Sequence, residues 1–321
     1  MSEIFKPNQM KAAVLKKYGS VDQFVIKDVP VPELKDSQIL IRNYASSVNP
    51  VDTLVRKGKM QLLSGSGKEK VIGSDFSGVV LASRSKKFKI GDEVFGFMNS
   101  LKGKAYAEIV QVSDDCVVHK PSNLSFTEAA VLPLVGLTAW CGIVTEGKIQ
   151  EGDRVLVLGC TGGVGSAAVQ IAKKFGAYVT GTCSGKHVDF AYQLGCDLVY
   201  NYEMESVPET EVYDLIFDAT GLFHLSEFEN QLTAEALFIS TRGGAKDFMS
   251  GIESAIEIAF KKRMKVIVVK PNSKDLVALK EMVEKGELKP LIAKTFPIEQ
   301  IGEAHLMVEE GSFTGKVAVE I

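Results

Sequence analysis

Residues 159–165 read GCTGGVG, a stretch rich in the one residue type that lets a ligand approach the backbone closely. In the spacing G-x-G-x-x-G, which is typical of dinucleotide-binding turns, Cys160, Gly162 and Gly165 hold the three glycine positions. Gly162 would admit the pyrophosphate, Gly165 would let a helix pack against a strand, and Cys160 is expected to be a small, inert substitute for glycine. The alternative is a glycine-rich turn without a ligand. The turn residues predicted to bind the cofactor are Gly162, Gly163 and Val164.

The residues beyond this turn distinguish between two dinucleotides. In an NAD site, an acidic residue about 20 positions further on hydrogen-bonds the ribose 2′-hydroxyl. Here Thr182 holds that position, and no carboxylate follows before Asp189. Ser184 and Lys186 lie between them, and a hydroxyl and an ammonium bind the 2′-phosphate that a carboxylate would repel. The sequence therefore predicts NADPH, with an ordinary solvated role for Lys186 as the alternative.

Strands alternating with helices must position this turn. From about residue 123 onward, short apolar runs alternate with amphipathic stretches. The predicted strands are 154–158, 178–182, 198–200, 215–217, 237–239 and 266–269, and the predicted helices are 163–175, 187–194 and 274–285. This alternation indicates parallel βαβ units with right-handed crossovers, and hence an α/β fold with a doubly wound parallel sheet.

The first third of the chain has a different pattern. Short β-rich runs separated by turn residues occur at 24–29, 39–42, 76–81, 93–97, 106–110 and 116–120. They predict a small, mostly antiparallel barrel or sandwich. The last stretch, 290–321, returns to extended segments around one helix at 298–309 and is expected to rejoin this first domain.

Length and charge limit the classes of function. A chain of 321 residues, 45% of them hydrophobic, favours two domains. A formal net charge of -3 provides no basic surface for nucleic acid or anionic lipid. The expected partner is therefore a small molecule, with no nucleic acid and no membrane insertion.

The cysteines and the apolar segments predict a cytoplasmic protein. The start of the chain has no apolar segment of signal-peptide length. The longest uncharged apolar stretch, 129–144, is shorter than the roughly 20 residues of a membrane helix. It is expected to be a buried helix and loop, introduced by a capping box of Ser125 and Glu128. Five scattered cysteines without a C-x-x-C pair indicate a reducing compartment.

Several further motifs occur in a fixed order: NPVD at 49–52, GSDFSG at 73–78, GDEVFG at 91–96, AVLPLVGLTAW at 130–140 and GKV at 315–317. With the glycine turn they resemble the medium-chain dehydrogenase/reductase superfamily, specifically its zinc-free quinone oxidoreductase branch. The resemblance spans essentially the whole chain. It implies a GroES-like catalytic domain of residues 1–122 completed by 287–321, a Rossmann NADPH-binding domain of residues 123–286, an active site in the cleft, and a homodimer.

The same resemblance implies which side chains surround the cofactor. Those near the nicotinamide would be Asn49 and Thr138. Those around the 2′-phosphate would be Ser184, Lys186 and Tyr202, although a tyrosine here could also be a packing aromatic. Those on strand-end loops beside the dinucleotide would be Thr220 and Ser240.

The zinc enzymes of this superfamily provide a direct contrast. Where they have a cysteine, this chain has Asn49; where they have histidine and glutamate, it has Ser74 and Asp75; and near their third ligand it has Leu134. Asparagine, serine and leucine are not zinc ligands, so no metal site is predicted. Without a Lewis acid, hydride must go to an acceptor that is already electrophilic, such as a quinone or an α,β-unsaturated carbonyl.

The predicted function is therefore NADPH-dependent, zinc-free hydride transfer to a quinone or enone, with Asn49 positioning the nicotinamide or the carbonyl oxygen. Two alternatives remain open at this point. One is a non-catalytic NADPH-binding sensor or scaffold protein. The other is a carbonyl reductase of the alcohol dehydrogenase type.

Overall fold

The computed structural model describes residues 8–65, 68–241 and 263–321, which form three β-sheets. A small antiparallel sheet has the order β2-β1-β4. Its strands are β1 (Gln9–Leu15), β2 (Phe24–Pro30) and β4 (Lys70–Val71). It packs against the larger mixed sheet, which contains the C-terminal strand of the chain.

The mixed sheet has the order β15-β16-β3-β5-β6-β8, and β7 also pairs with β3. Its strands are β3 (Gln38–Val48), β5 (Asp75–Ser83), β6 (Glu93–Phe97), β7 (Ile109–Ser113), β8 (Val117–His119), β15 (Ile292–Pro297) and β16 (Lys316–Glu320). The last strand runs antiparallel to β3, with Val317 opposite Val48, and β5 lies on the other side of β3. This register places Lys316, Asn49 and Asp75 beside one another, at the same end of the three adjacent strands β16, β3 and β5.

The third sheet is parallel throughout and has the order β11-β10-β9-β12-β13-β14. Its strands are β9 (Arg154–Leu158), β10 (Tyr178–Cys183), β11 (Leu198–Asn201), β12 (Tyr213–Asp218), β13 (Leu232–Ser240) and β14 (Met264–Val266). In chain order this is the arrangement 3-2-1-4-5-6 of a doubly wound dinucleotide-binding fold. The predicted fold class, a Rossmann sheet with a mostly antiparallel β domain, is confirmed.

Eight α-helices in the described residues pack against the mixed sheet and the parallel sheet or connect them. Those of the first part of the chain are α1 (Pro50–Arg56), α2 (Gln61–Ser64) and α3 (Phe126–Ala130). Those that follow are α4 (Pro133–Trp140), α5 (Gly163–Lys174), α6 (Val188–Leu194), α7 (Ser273–Glu284) and α8 (Ile301–Glu310). The capping box at the start of α3 is present, because the Ser125 hydroxyl accepts from the Glu128 amide while the Glu128 carboxylate accepts from the Ser125 amide.

The predicted apolar stretch 129–144 is buried as expected, but it comprises α3, α4 and one π-helical segment, Cys141–Glu146. Across residues 8–65, 68–241 and 263–321, no helix is long and apolar enough to cross a membrane.

Two predicted strands differ from the structure. The run 106–110 enters the sheet only at Ile109, because the Tyr106 backbone bonds instead to Ala13 and Ile72 in a segment that crosses between sheets. The run 266–269 leaves the sheet after Val266, since β14 pairs over Met264–Val266 only. Both errors arise because a β-rich composition does not show where the pairing partner ends.

The glycine turn follows β9 directly, and Gly162 caps the start of α5. A Cβ on Gly165 would lie 2.1 Å from the carbonyl oxygen of Gly159, whereas a Cβ on Gly162 would meet that oxygen only at 3.6 Å. The close approach of helix and turn therefore requires glycine at 165. At 162 the surrounding protein leaves room for a side chain.

We expect Gly165→Ala to lower the free energy of unfolding by about 2 kcal/mol or more, because a backbone oxygen must move to admit the methyl group. The matched variant Gly162→Ala should cost no more than about 1 kcal/mol, the usual loss at a helix N-cap. Urea unfolding followed by circular dichroism would compare the two. Equal losses would show that the turn adapts at both positions.

Candidate active site

The crevice expected to bind the cofactor lies at the point where the strand order of the parallel sheet reverses. β9 pairs with β10 on one side and with β12 on the other, so the crevice opens at the carboxyl ends of β9 and β12. The Cys160 amide donates to the Thr182 carbonyl, and the Gly159 amide donates to Thr182 Oγ1 at 3.1 Å. Thr182 thus holds the glycine turn in place from β10, and its hydroxyl is committed to the protein.

The turn fits a dinucleotide. The first amides of a helix lack intrahelical partners and point toward an anion at the N-terminus, here the start of the twelve-residue helix α5. Gly162 has open space where a Cβ would be, as close approach of a pyrophosphate requires. Gly163 differs, because its missing Cβ makes room for the Lys316 side chain, whose Cδ would lie 2.8 Å away. Val164 is half-buried.

Asp218, at the end of β12, joins two of the predicted cofactor residues. One carboxylate oxygen accepts from the Thr220 hydroxyl at 2.7 Å, and the other accepts from the Ser240 hydroxyl at 2.8 Å. The first oxygen also accepts from the amides of Thr220 and Gly221. The structure therefore brings Thr220 and Ser240 together at the crevice through a buried carboxylate that sequence reasoning missed.

The three side chains predicted for the 2′-phosphate lie near the ends of β10 and β11. Ser184 is buried, with its hydroxyl oxygen 3.2 Å from His187 Nδ1. Lys186 donates its ammonium to the Ser312 carbonyl at 2.9 Å. The Tyr202 side chain is 62% exposed beside the end of β10. A carboxylate not predicted for this region, Glu203, accepts from the Gly185 amide at 2.9 Å.

On the other side of the cleft, Asn49 lies within a buried polar network. Its Oδ1 accepts from the Lys316 ammonium at 2.5 Å, and its Nδ2 donates to Asp75 Oδ2 at 2.8 Å. Since an ammonium only donates and a carboxylate only accepts, the two partners fix which way the amide points. The Asn49 side chain also hydrogen-bonds Asp52, which opposes the rise in the pKa of that carboxyl. The Lys316 ammonium also donates to the Val48 carbonyl at 2.7 Å.

Asp75 connects this network to the neighbouring elements. Its Oδ2 accepts from the Ser47 hydroxyl at 2.6 Å, and its Oδ1 accepts from the Leu134 amide at 2.9 Å, at the start of α4. One turn later, the Thr138 hydroxyl donates to the Leu134 carbonyl at 2.7 Å. Hydrogen bonds thus join Asn49, Asp75 and Leu134, three of the positions at which the zinc enzymes are expected to have their ligands.

Burial dominates the electrostatics of this network. Burial raises the pKa of Asp52 to about 7, a shift that the nearby Asp75 adds to and that the Asn49 amide and Lys316 oppose. Burial also raises the pKa of Asp75, against the attraction of Lys316, and lowers the pKa of Lys316, against the attraction of both carboxylates. Burial therefore disfavours the charged forms of Asp75 and Lys316, and the attraction between the two opposite charges counteracts this effect.

Cys160 is surrounded by sulfur. Hydrogen bonding to the thiols of Cys183 and Cys196, together with burial, raises the pKa of Cys160 far above its ordinary value. A Cβ on Gly181 would lie 2.6 Å from Cys160 Sγ and 2.8 Å from Cys196 Sγ, so the glycine makes room for both. A thiol of raised pKa is a poor nucleophile, which is consistent with a packing role.

Within the described ranges, no group of three or more histidine, cysteine, aspartate or glutamate side chains is arranged to hold a metal ion. The four residues that sequence reasoning missed are Asp75 as a network centre, Asp218, Glu203 and Lys316. The GKV motif at 315–317 and the aspartate that ends strand 213–218 were visible signals. Their contacts depend on strand order, which the motifs do not specify.

Two family profiles match the chain. One described as "Alcohol dehydrogenase GroES-like domain" matches residues 35–122, and one described as "Zinc-binding dehydrogenase" matches residues 194–319. A 2-methylene-furan-3-one reductase of Solanum lycopersicum is 34% identical, over 98% of this chain and 79% of that protein. The chain belongs to the medium-chain dehydrogenase/reductase superfamily. Its ligand positions place it in the zinc-independent quinone and enone reductase branch of that superfamily.

Two further relatives agree with this placement. An NADPH-dependent alkenal/one oxidoreductase, chloroplastic, of Arabidopsis thaliana is 33% identical, over 98% of this chain and 80% of that protein. The solved structure of the quinone oxidoreductase from Coxiella burnetii superposes with a TM-score of 0.85 at 29% identity, covering 98% of this chain and 99% of that one. The predicted superfamily and branch are confirmed.

The buried Asp52 carboxylate should make stability depend on pH. Its folded pKa of about 7 lies above the ordinary value near 4, so the stability it permits is fully present below about pH 4 and is lost as pH rises to about 7. Asp52→Asn keeps an oxygen for the Asn49 amide and removes the charge. We therefore expect the unfolding free energy of the variant, relative to wild type, to increase between about pH 4 and pH 7 and to level off above.

Urea unfolding at several pH values would measure this difference. Asp28→Asn, on the exposed side of β2, removes the same charge from the surface and serves as the control. A difference between wild type and Asp52→Asn that stays constant with pH would show that the carboxyl has the same pKa when folded and unfolded.

Proposed function

We propose that this protein is an NADPH-dependent, zinc-free oxidoreductase that transfers a hydride to a quinone or to the β-carbon of an α,β-unsaturated carbonyl. The observation that carries the proposal is the network at the ligand positions of the zinc enzymes. There Asn49, Ser74 and Leu134 stand where the zinc enzymes have metal ligands. The Asp75 carboxylate accepts hydrogen bonds from the Asn49 side chain and from the Leu134 amide. An acceptor that needs no Lewis acid fits such a site.

When bound, the nicotinamide supplies the hydride from its C4 position. The chain then has to hold acceptor and cofactor in contact and to stabilise the negative charge that develops on the acceptor oxygen. Asn49 suits this task, because Lys316 and Asp75 fix the orientation of its side-chain amide. We propose that Thr138, whose hydroxyl donates to the Leu134 carbonyl one turn earlier in α4, flanks the nicotinamide.

The proposed preference for NADPH rests on Ser184, Lys186 and Tyr202 at the ends of β10 and β11, and on the name of the Arabidopsis relative, an NADPH-dependent oxidoreductase. The proposed cofactor contacts on the crevice side are Gly162, Gly163, Val164, Thr220 and Ser240. We also retain the proposed domains, 1–122 with 287–321 and 123–286, which the pairing of β16 with β3 supports.

A homodimer and a cytoplasmic location complete the proposal. β14 lies at an edge of the parallel sheet, and Val268 just beyond it is 72% exposed, so this edge offers a surface for a second copy. All five cysteines are free thiols, as a reducing compartment requires.

A panel of acceptors offered with NADPH and with NADH would test the reaction. We expect NADPH oxidation with quinones and enones, and little or none with saturated ketones, because a saturated ketone accepts hydride readily only when a Lewis acid or a general acid polarises its carbonyl. Activity only with alcohols or simple ketones would favour the alcohol dehydrogenase type of reaction. Cofactor binding without turnover on any acceptor would favour a sensor or scaffold protein.

The role of Asn49 can be tested separately. Asn49→Ala should lower kcat at saturating NADPH by about a hundredfold or more, the typical effect of losing a donor to a developing oxyanion. Asn123→Ala, which removes an amide that bonds only the Val283 carbonyl far from the cleft, is the control. Unchanged turnover in a folded Asn49→Ala protein would exclude the proposed role.

A further inference from the structure

A carboxylate from the end of β11 lies against the loop after β10, at the point where a cofactor phosphate would need a positive charge. The Gly185 amide donates to Glu203 Oε2 at 2.9 Å, at the start of the 3-10 turn Gly185–His187 that leads into α6. An amide in that place, next to the Ser184 hydroxyl and Lys186, is the type of donor that binds a phosphate. In this structure a carboxylate from the end of β11 takes it.

The contact is built into the loop. The Glu203 amide donates to Asn201 Oδ1 at 3.1 Å, which turns the chain after β11 toward Gly185. A Cβ on Gly185 would lie 2.8 Å from Asn201 Nδ2 and 3.3 Å from Glu203 Oε2. The carboxylate can therefore reach the amide because residue 185 has no side chain.

Charge makes this contact matter differently for the two dinucleotides. Lys186 contributes one positive charge and Glu203 contributes one negative charge, while burial and Lys186 lower the pKa of His187 against the pull of Glu203. The formal sum is zero. A phosphate monoester carries about 1.5 to 2 negative charges at pH 7, whereas a ribose hydroxyl carries none and can donate to a carboxylate.

We propose that Glu203 is a specificity-determining residue, which weakens NADPH binding by occupying the Gly185 amide and repelling the 2′-phosphate, and which accepts a hydrogen bond from the 2′-hydroxyl of NADH. The inference rests on the proposed use of a nicotinamide dinucleotide. It adds that the preference for NADPH is held below the level that Ser184, Lys186 and Tyr202 would otherwise give.

Equilibrium binding of NADPH and NADH to the full chain, measured by calorimetry, tests this proposal. We expect Glu203→Gln to raise the ratio of NADPH affinity to NADH affinity by about fivefold or more. Because the effect is electrostatic at an exposed site, it should be larger at about 20 mM than at about 200 mM NaCl. Glu205→Gln removes the same charge from the same turn and should leave the ratio unchanged.

The outcomes separate this inference from the proposed function. An unchanged ratio, or an equal loss of affinity for both cofactors, would show that Glu203 only shapes the loop and would overturn the inference. A wild type that prefers NADH, combined with the expected shift in Glu203→Gln, would contradict the proposed NADPH preference and support the inference. Failure of every variant to bind either cofactor would overturn both.

Discussion

The buried ammonium of Lys316 is the interaction on which the cleft depends. An isolated buried charge is strongly unfavourable, so this lysine needs the Val48 carbonyl, the Asn49 amide and the Asp75 carboxylate within reach. Those groups lie at the ends of β3 and β5, and Lys316 begins β16. The pairing of these three strands is thus a condition for burying the charge, and the buried charge in turn orients Asn49.

The same lysine also shapes the dinucleotide side. Its stem passes over the first turn of α5, where only a glycine at 163 leaves room. The preceding residue, Gly315, forms a bridge with Gly162, and its amide donates to the Thr161 carbonyl. One short segment therefore contacts both the buried polar network around Asn49 and the glycine turn proposed to bind the pyrophosphate.

Local patterns predicted the parallel sheet and the glycine turn, because a βαβ unit is nearly contiguous in sequence. Gly165 was assigned correctly as the packing glycine for the same reason. The central role of Asp75, and the contacts of Lys316 and Asp218, could not be derived this way, since each depends on strands distant in sequence becoming neighbours. Glu203 does not follow from the dinucleotide pattern, because that pattern places the acid after β10, whereas the carboxylate that reaches this loop comes from the end of β11.

The Lys186 ammonium bonds the Ser312 carbonyl, only four residues before Lys316. The closing segment of the chain therefore touches both the loop proposed for the adenosine phosphate and the turn proposed for the pyrophosphate. Residues 123–286 therefore could not be exchanged between relatives without also exchanging the C-terminal segment that contacts them. A chimera that exchanged residues 123–286 alone would set a foreign turn and a foreign loop against the original C-terminal segment. We expect such a chimera to bind the cofactor poorly unless the C-terminal segment comes from the same parent.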